Sequence, residues 1–128
     1  MKEPTLKLNF EIHENGEATV LFCSGRIVYR EEAAALSRKV MEALSHTRQL
    51  VLDMSGVDII DSAGLGELVA ALKLARASRS TIKLAAPNRR VLALLKLTNL
   101  NSLFEIHGTL DEALESMRQS AFAQAAIC

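Results

Sequence analysis

Alternating apolar and polar residues near the start of the chain predict an antiparallel β-hairpin. Residues 6–12 alternate strictly, which is typical of a half-buried strand. Asn15-Gly16 is a frequent hairpin turn, and residues 18–23 form a β-branched and aromatic run that returns beside the first strand. Residues 25–27, Gly-Arg-Ile, end this second strand. The chain is therefore expected to begin with an antiparallel pair of strands.

Helical and strand patterns alternate through the rest of the chain. The helices are placed at residues 31–44, from residue 65 to 75, after a cap at Asn88 and after a capping box at residues 109–112, and the strands at residues 50–54, 82–86 and 104–106. The order is β-β-α-β-α-β-α-β-α, which predicts an α/β fold with four helices and a mixed, mostly parallel sheet. The first helix has no good capping residue, because Tyr29-Arg30 occupies the expected cap region.

A single domain accounts for all of these elements. The chain has 128 residues, which is enough for one hydrophobic core. We assign residues 1–120 to the domain and residues 121–128 to an apolar C-terminal tail. Three arrangements of the tail stay open: extension of the last helix, packing against a neighbouring molecule, and fraying.

The charge balance argues against a nucleic-acid-binding protein. Lys and Arg total 15, Asp and Glu total 15, and the formal net charge is +0. A protein that neutralises phosphates over a broad surface would carry an excess of basic residues.

No apolar segment approaches the ~20 residues that a membrane span needs, and the N-terminus does not resemble a signal peptide. We therefore expect a cytoplasmic protein without a membrane span.

The cysteines and histidines do not form a recognisable metal or disulfide pattern. Cys23 lies in a predicted strand and Cys128 at the end of the chain, so we expect one core thiol and one tail thiol. The histidines at positions 13, 46 and 107 are not spaced as metal ligands. We expect no metal and no cofactor.

Residues 61–66, Asp-Ser-Ala-Gly-Leu-Gly, place a serine where a strand pattern changes into a helix pattern. The first N–H groups of a helix are unpaired and the helix dipole is positive there, so a phosphate on Ser62 would be tolerated. Asp53, Asp58 and Asp61 are expected to cluster with Ser62 near this point. One interpretation is purely structural: Asp61 or Ser62 caps the helix. Phosphorylation and catalysis are the alternatives.

Catalysis by Ser62 finds little support in the sequence. A nucleophilic serine needs a nearby base, and residues 60–64 lack the first glycine of a Gly-x-Ser-x-Gly elbow. Nothing in the sequence brings His107 to Ser62, and no Walker lysine follows the glycines. Asp53 could instead suggest the acceptor of a response-regulator receiver. That interpretation fails because the first strand is followed by one carboxylate, Glu14, and by an antiparallel strand.

With these residues in view, the chain resembles a STAS domain of the anti-sigma factor antagonist family. Residues 52–66 are similar to the central signature of that family, residues 25–27 to its Gly-x-Leu/Ile step, and residues 97–106 to the entry into its last strand. The resemblance covers nearly the whole chain. It implies a non-enzymatic protein that switches between partners to regulate transcription.

The resemblance further implies that Ser62 is phosphorylated by an anti-sigma factor with a GHKL-type serine kinase domain. The unphosphorylated form would bind this partner, the phosphorylated form would not, and a PP2C-type phosphatase would reset the switch. The residues that this comparison and the predicted fold assign to partner binding are Asp61, Ser62, Gly64, Leu65, Glu67, Gly25 and Arg26. The alternative is a non-switching STAS adaptor, in a stressosome or a lipid-transport ATPase complex. A homodimer is left open.

Overall fold

A five-stranded sheet with four α-helices forms the fold. The computed structural model describes residues 8–16 and 18–127, with side chains to residue 119. The elements are β1 (Leu8–Asn15), β2 (Ala18–Ile27), α1 (Tyr29–Leu44), β3 (Gln49–Ile60), α2 (Ser62–Ala77), β4 (Thr81–Ala85), α3 (Arg89–Leu97), a 3-10 helix (Leu100–Ser102), β5 (Glu105–His107) and α4 (Leu110–Ile127). The predicted α/β class and element order are confirmed.

The strands follow one another across the sheet in chain order, β1-β2-β3-β4-β5. β1 and β2 pair antiparallel as predicted, and the other three pairings are parallel. β4 pairs with β3 only up to Asp53, whereas β2 continues beside β3 to Ile60. The described part of β1 pairs with β2 as far as Gly25. The last residues of β2 and β3, at 26–27 and 59–60, therefore extend beyond both β4 and the described part of β1 as a two-stranded arm, and this arm leads directly into α1 and α2.

The helices divide unequally between the two faces of the sheet. α1, α2 and α3 pack on one face over the main core, which includes Leu36, Leu68 and Leu95. α4 packs on the other face in a smaller core with Val20, Val51, Ala85, Ala113 and Met117. Each strand of the sheet thus has side chains on both faces, as the period of two in a β-strand requires.

Several predicted boundaries are corrected. β3 is one strand of 12 residues and continues through Ser55 and Gly56, where the sequence suggests a break. Pairing of Gly56 with Ser24 on β2 supplies the hydrogen-bonding partner that a local pattern does not reveal. α1 begins at Tyr29 rather than at residue 31, and β5 is displaced by one residue. α4 reaches Ile127, so its backbone includes most of the predicted tail; the tail's side chains and Cys128 lie outside the described residues.

Cys23 is a core thiol, as expected. Desolvation raises its pKa to about 12, with a smaller contribution from the nearby charge of Asp53. The thiol is therefore protonated at neutral pH and not reactive.

Among the described helices, none combines the length and the apolar character that crossing a bilayer requires.

A buried lysine connects α4 to the edge of the sheet. Lys83 Nζ on β4 lies 2.8 Å from Glu105 Oε2 on β5 and donates to Ser116 Oγ on α4 at 2.5 Å. Ser116 Oγ donates to the same Glu105 oxygen at 2.6 Å, and His107 Nε2 lies 2.7 Å from it. Hydrogen bonds from Lys83, Ser116 and His107 outweigh desolvation and lower the pKa of Glu105 to about 2.

This network predicts a specific pH dependence of stability. The pKa of Glu105 falls from 4.5 to about 2 on folding, so its contribution is complete above about pH 4.5 and is lost as the pH falls toward 2. Glu105→Gln should lower the free energy of unfolding at pH 7, and its difference from wild type should shrink between pH 4.5 and 2. Urea titrations at each pH measure this.

Glu115→Gln is the matched control, because Glu115 forms an exposed ion pair with Arg118 on α4. We expect its effect to stay within about 0.5 kcal/mol at every pH, since exposed pairs contribute little. A pH-independent difference between Glu105→Gln and wild type would contradict the role given to the network.

The first turn of α2 packs closely on the end of the two-stranded arm because residue 64 is glycine. A Cβ at Gly64 would lie 2.7 Å from the carbonyl oxygen of Ile27 and 2.7 Å from the Ile60 side chain. A backbone atom cannot move aside cheaply. By contrast, a Cβ at Gly66 would meet nothing within 4 Å.

Two glycine substitutions should therefore have opposite effects. Gly64→Ala should lower the free energy of unfolding by about 1–3 kcal/mol, the usual range for overpacking. Gly66→Ala should raise it by up to about 1 kcal/mol, because alanine favours the helix. Urea denaturation measures both; an equal effect of the two would show that Gly64 does not set this contact.

Candidate functional site

The two-stranded arm brings the N-termini of α1 and α2 side by side. Ile27 and Ile60 pair at the ends of β2 and β3. The N–H of Asp61 continues this ladder by donating to the Ile27 carbonyl at 3.2 Å. α1 begins two residues after Ile27, and α2 begins two residues after Ile60. Two sets of unpaired helix N–H groups therefore share one surface.

Asp61 satisfies donors from both helices with one carboxylate. Its Oδ1 accepts the N–H of Gly64 at 3.0 Å, which makes Asp61 the N-cap of α2, as the structural interpretation allowed. Its Oδ2 accepts the N–H of Tyr29 at 3.0 Å, in the first turn of α1. Desolvation raises the pKa of Asp61, but the hydrogen bonds donated by the N–H groups of Gly64 and Tyr29 lower it by more. The pKa of Asp61 therefore lies below its usual value.

Tyr29 adopts an uncommon backbone conformation at this junction. Its φ is +66°, in the left-handed region that a non-glycine residue enters at a cost of about 1–2 kcal/mol. The side chain is 60% exposed, and the Arg26 guanidinium lies over its ring with 5.2 Å from Cζ to the centroid. Arg26 Nε lies 3.6 Å from Oε2 of buried Glu32, and Oε1 of Glu32 accepts the N–H of Val28 at 3.0 Å.

Ser62 is exposed and is the first residue of α2. Its hydroxyl makes no hydrogen bond to the side chains and backbone that the structure describes, because Asp61 already caps the helix. A group added to this oxygen would therefore break no hydrogen bond within the described fold. It would lie near the positive end of the α2 dipole and beside the Asp61 carboxylate.

The remaining predicted partner-binding residues differ in accessibility. Gly25, Arg26 and Glu67 are half-buried, and Gly25 has a φ of +112°, which favours glycine at the point where the β2–β3 register shifts. Gly64 and Leu65 are also assigned to partner binding, but both are buried, because the first turn of α2 packs on the arm. Direct contact of these two side chains with a partner is therefore not supported by their position.

Asp53 and His107 do not join this site. Asp53, Ala85 and His107 lie in one row across β3, β4 and β5. Ile60 is seven residues further along β3, which at 3.3 Å per residue corresponds to about 23 Å. Asp53 is buried within the strand and accepts both the N–H and the hydroxyl of Ser55. The expected clustering of Asp53 with Ser62 is therefore wrong, and no described histidine is placed to activate this serine.

Sequence analysis missed Tyr29 and Glu32 as parts of the site. The signal that could have found them was the absence of a capping residue before α1. Val28 occupies the N-cap position and provides no capping side chain. The N–H of Tyr29 is instead capped by Asp61, 32 residues later in the chain, and the N–H of Val28 is capped by Glu32 from within the helix.

The chain belongs to the STAS domain family, whose model matches residues 9–113. Among curated proteins, it is 38% identical over 71 residues to a protein of Thermotoga maritima described as an anti-sigma factor antagonist. The matched segment spans 56% of this chain and 63% of that relative. The expected family resemblance is confirmed.

Solved structures share the fold over most of the chain. A crystal structure described as an anti-sigma factor antagonist of Thermotoga maritima has a TM-score of 0.77 at 29% identity, covering 85% of this chain and 94% of that one. An anti-sigma factor antagonist of Mycobacterium paratuberculosis has a TM-score of 0.78 at 24% identity, covering 87% and 94%. The Bacillus cell fate determinant SpoIIAA in its phosphorylated form has a TM-score of 0.65 at 15% identity, covering 85% and 99%.

The double role of Asp61 can be tested by substitution. Asp61→Ala should lower the free energy of unfolding by about 1–2 kcal/mol, because it removes an N-cap and leaves the Tyr29 N–H without its acceptor. Asp61→Asn should have an intermediate effect, since its single carbonyl oxygen can replace one acceptor only. Urea denaturation at pH 7 measures all three proteins.

The pH dependence of the free energy of unfolding tests the stabilising role of Asp61 independently. The folded pKa of Asp61 lies below 3.8, so its stabilisation is present above about pH 3.8 and is lost as the pH falls through the folded value. Exposed Asp58 provides the control, and Asp58→Ala should change stability by less than about 0.5 kcal/mol. Equal effects of Asp61→Ala and Asp58→Ala would contradict the bridging role.

Proposed function

We propose that this protein is an anti-sigma factor antagonist controlled by phosphorylation of Ser62. In its unphosphorylated form it binds an anti-sigma factor that carries a GHKL-type serine kinase domain, and phosphorylation releases that partner. The observation that carries the proposal is an exposed Ser62 hydroxyl, free of hydrogen bonds within the described fold, at the start of α2 in a STAS domain. The names of the similar proteins support the class of partner.

Separate roles for Asp61 and Ser62 suit a reversible switch. Asp61 makes the hydrogen bonds that hold α1 and α2 together, so modification of Ser62 leaves these bonds in place. The unmodified and phosphorylated proteins can then share one fold. Binding would change because the surface changes, and no rearrangement of the core is required.

Electrostatics favours release by phosphate. A phosphoserine adds roughly −1.5 to −2 charges at neutral pH. The α2 dipole offsets only about 0.3–1 kcal/mol of the resulting repulsion at an exposed site. The phosphate would lie beside Asp61, and exposed Asp58 is three residues earlier. Within a closely packed interface, a dianion without a counter-charge would cost several kcal/mol, which is enough to change tight binding into weak binding.

Catalysis in this system belongs to the partners. The anti-sigma factor supplies the kinase site and its nucleotide, and a PP2C-type phosphatase removes the phosphate. The protein itself acts as substrate and ligand in the cytoplasm, where sigma factors work. Arg26, Gly25, Asp61, Ser62 and Glu67 form the contact surface, whereas buried Gly64 and Leu65 shape it from below.

Binding to the GHKL-type anti-sigma factor of the same genome tests the proposal. Ser62→Ala should bind as tightly as wild type, because the hydroxyl makes no bond that the described fold needs. Ser62→Glu should bind at least about tenfold more weakly, a difference near 1.4 kcal/mol. Isothermal titration calorimetry measures the affinities, and intact mass after incubation with the partner and ATP measures phosphorylation.

Ser45→Glu is the matched control, since Ser45 is an exposed serine at the opposite end of α1. It should bind like wild type. Equal binding by wild type, Ser62→Ala and Ser62→Glu would refute the switch and favour a non-switching STAS adaptor. Failure of Ser62→Ala to block phosphorylation would place the modified residue elsewhere.

A further inference from the structure

An apolar groove lies next to the Ser62 surface and has no assigned role. It is a cavity of about 290 Å³ between the end of β3 and α3, lined by Ile59, Ile60, Arg90, Val91, Ala93, Leu94 and Leu97. We call it the α3 groove. Ile59 and Ile60 immediately precede Asp61 and Ser62 in the chain. An extended partner segment bound at Ser62 would therefore need about three of its own residues, about 10 Å, to reach the groove.

The α3 groove exposes more apolar surface than the fold requires. α3 buries Val91 and Leu95 against the core, yet Leu97 on the same helix is 82% exposed. Ile59 on the facing strand is 38% exposed. Single exposed apolar residues are common, but a cavity with aliphatic side chains on both walls is typical of a binding surface.

α3 brings positive charge to the groove. Its basic residues are Arg89, Arg90 and Lys96, and its nine residues include no acidic side chain. Arg90 lines the groove itself, whereas Lys96 lines a separate cavity. None of these three cations forms an ion pair with a residue in the described part of the chain. The whole chain has a formal net charge of +0, so this is a local excess. Exposed Asp58 lies at the strand side, where its carbonyl accepts from Asn88.

The Ser62 surface alone offers few apolar contacts. Gly64 and Leu65 are buried, which leaves Tyr29 as its main exposed apolar side chain. Interfaces are usually anchored by a few buried apolar or aromatic residues, with charges at the rim. The α3 groove supplies such an anchor next to the switch residue.

We propose that the α3 groove is a second docking site, occupied by an acidic amphipathic segment of the same partner that binds at Ser62. This inference rests on the proposed function. Apolar side chains of the segment fill the space between Ile59 and Leu97, and its carboxylates face Arg90 in the groove lining, next to Arg89 in the chain. Because the groove is separate from the hydroxyl, it sets affinity and partner choice, while Ser62 sets the phosphorylation response.

Three variants test the groove in the same calorimetric assay with the GHKL-type anti-sigma factor. Leu97→Glu should weaken binding by at least about tenfold, because it adds a charge to the apolar wall and repels an acidic segment. The double variant Arg89→Glu/Arg90→Glu should bind more weakly than wild type at low salt. The difference in affinity from wild type should shrink at 0.5 M NaCl, because salt screens exposed charges. Met41→Glu is the matched control, since Met41 is 55% exposed on α1, and it should bind like wild type.

The outcomes separate this inference from the switch. Weak binding of Leu97→Glu with equal binding of Ser62→Ala and Ser62→Glu would support the groove and refute the switch. Wild-type affinity of Leu97→Glu with weak binding of Ser62→Glu would refute the groove alone. If Leu97→Glu binds the partner with wild-type affinity but sediments as a monomer where wild type sediments as a dimer, the groove is assigned to a second copy of the chain and the docking proposal is refuted. Absence of binding by wild type would overturn both proposals.

Discussion

The carboxylate of Asp61 is the interaction on which the arrangement of the site depends. It accepts N–H groups from the first turns of two helices that begin 33 residues apart in the chain. Backbone N–H groups at a helix start must find an acceptor, and here one side chain serves both. The left-handed Tyr29 is tolerated because its N–H is held by this bond. The surface around Ser62 therefore has a fixed shape before any partner arrives.

This arrangement separates folding from regulation at two adjacent positions. Asp61 carries the structural hydrogen bonds, while the neighbouring hydroxyl is exposed and unbonded within the described fold. If the serine were the cap, its phosphorylation would disturb the helix as well as the interface. With the aspartate as the cap, an added charge acts on the partner and leaves the scaffold unchanged.

Local sequence patterns predicted the order of elements, the hairpin and the caps at Asn88 and Thr109 because these features depend on near neighbours. They did not predict the continuity of β3, whose Ser55-Gly56 step is supported by pairing with β2. They also did not predict the burial of Leu65 or the exposure of Leu97, since both follow from where the helices dock. Ser62 was singled out because it lies where a strand pattern changes into a helix pattern, and the resemblance to a family signature then suggested its role. Its free hydroxyl could be recognised only once Asp61 was seen as the cap.

The position of α4 has a consequence for how the protein can be joined to other molecules. α4 packs on the face opposite α1, α2 and α3. Met117 and Arg118 share a cavity with Ala18 and Gln49, the first residues of β2 and β3, so α4 runs back toward the starts of the strands. Ser62 lies beyond their ends. A fluorophore, tether or fused domain attached after α4 would therefore project from the far side of the molecule and leave the Ser62 surface uncovered.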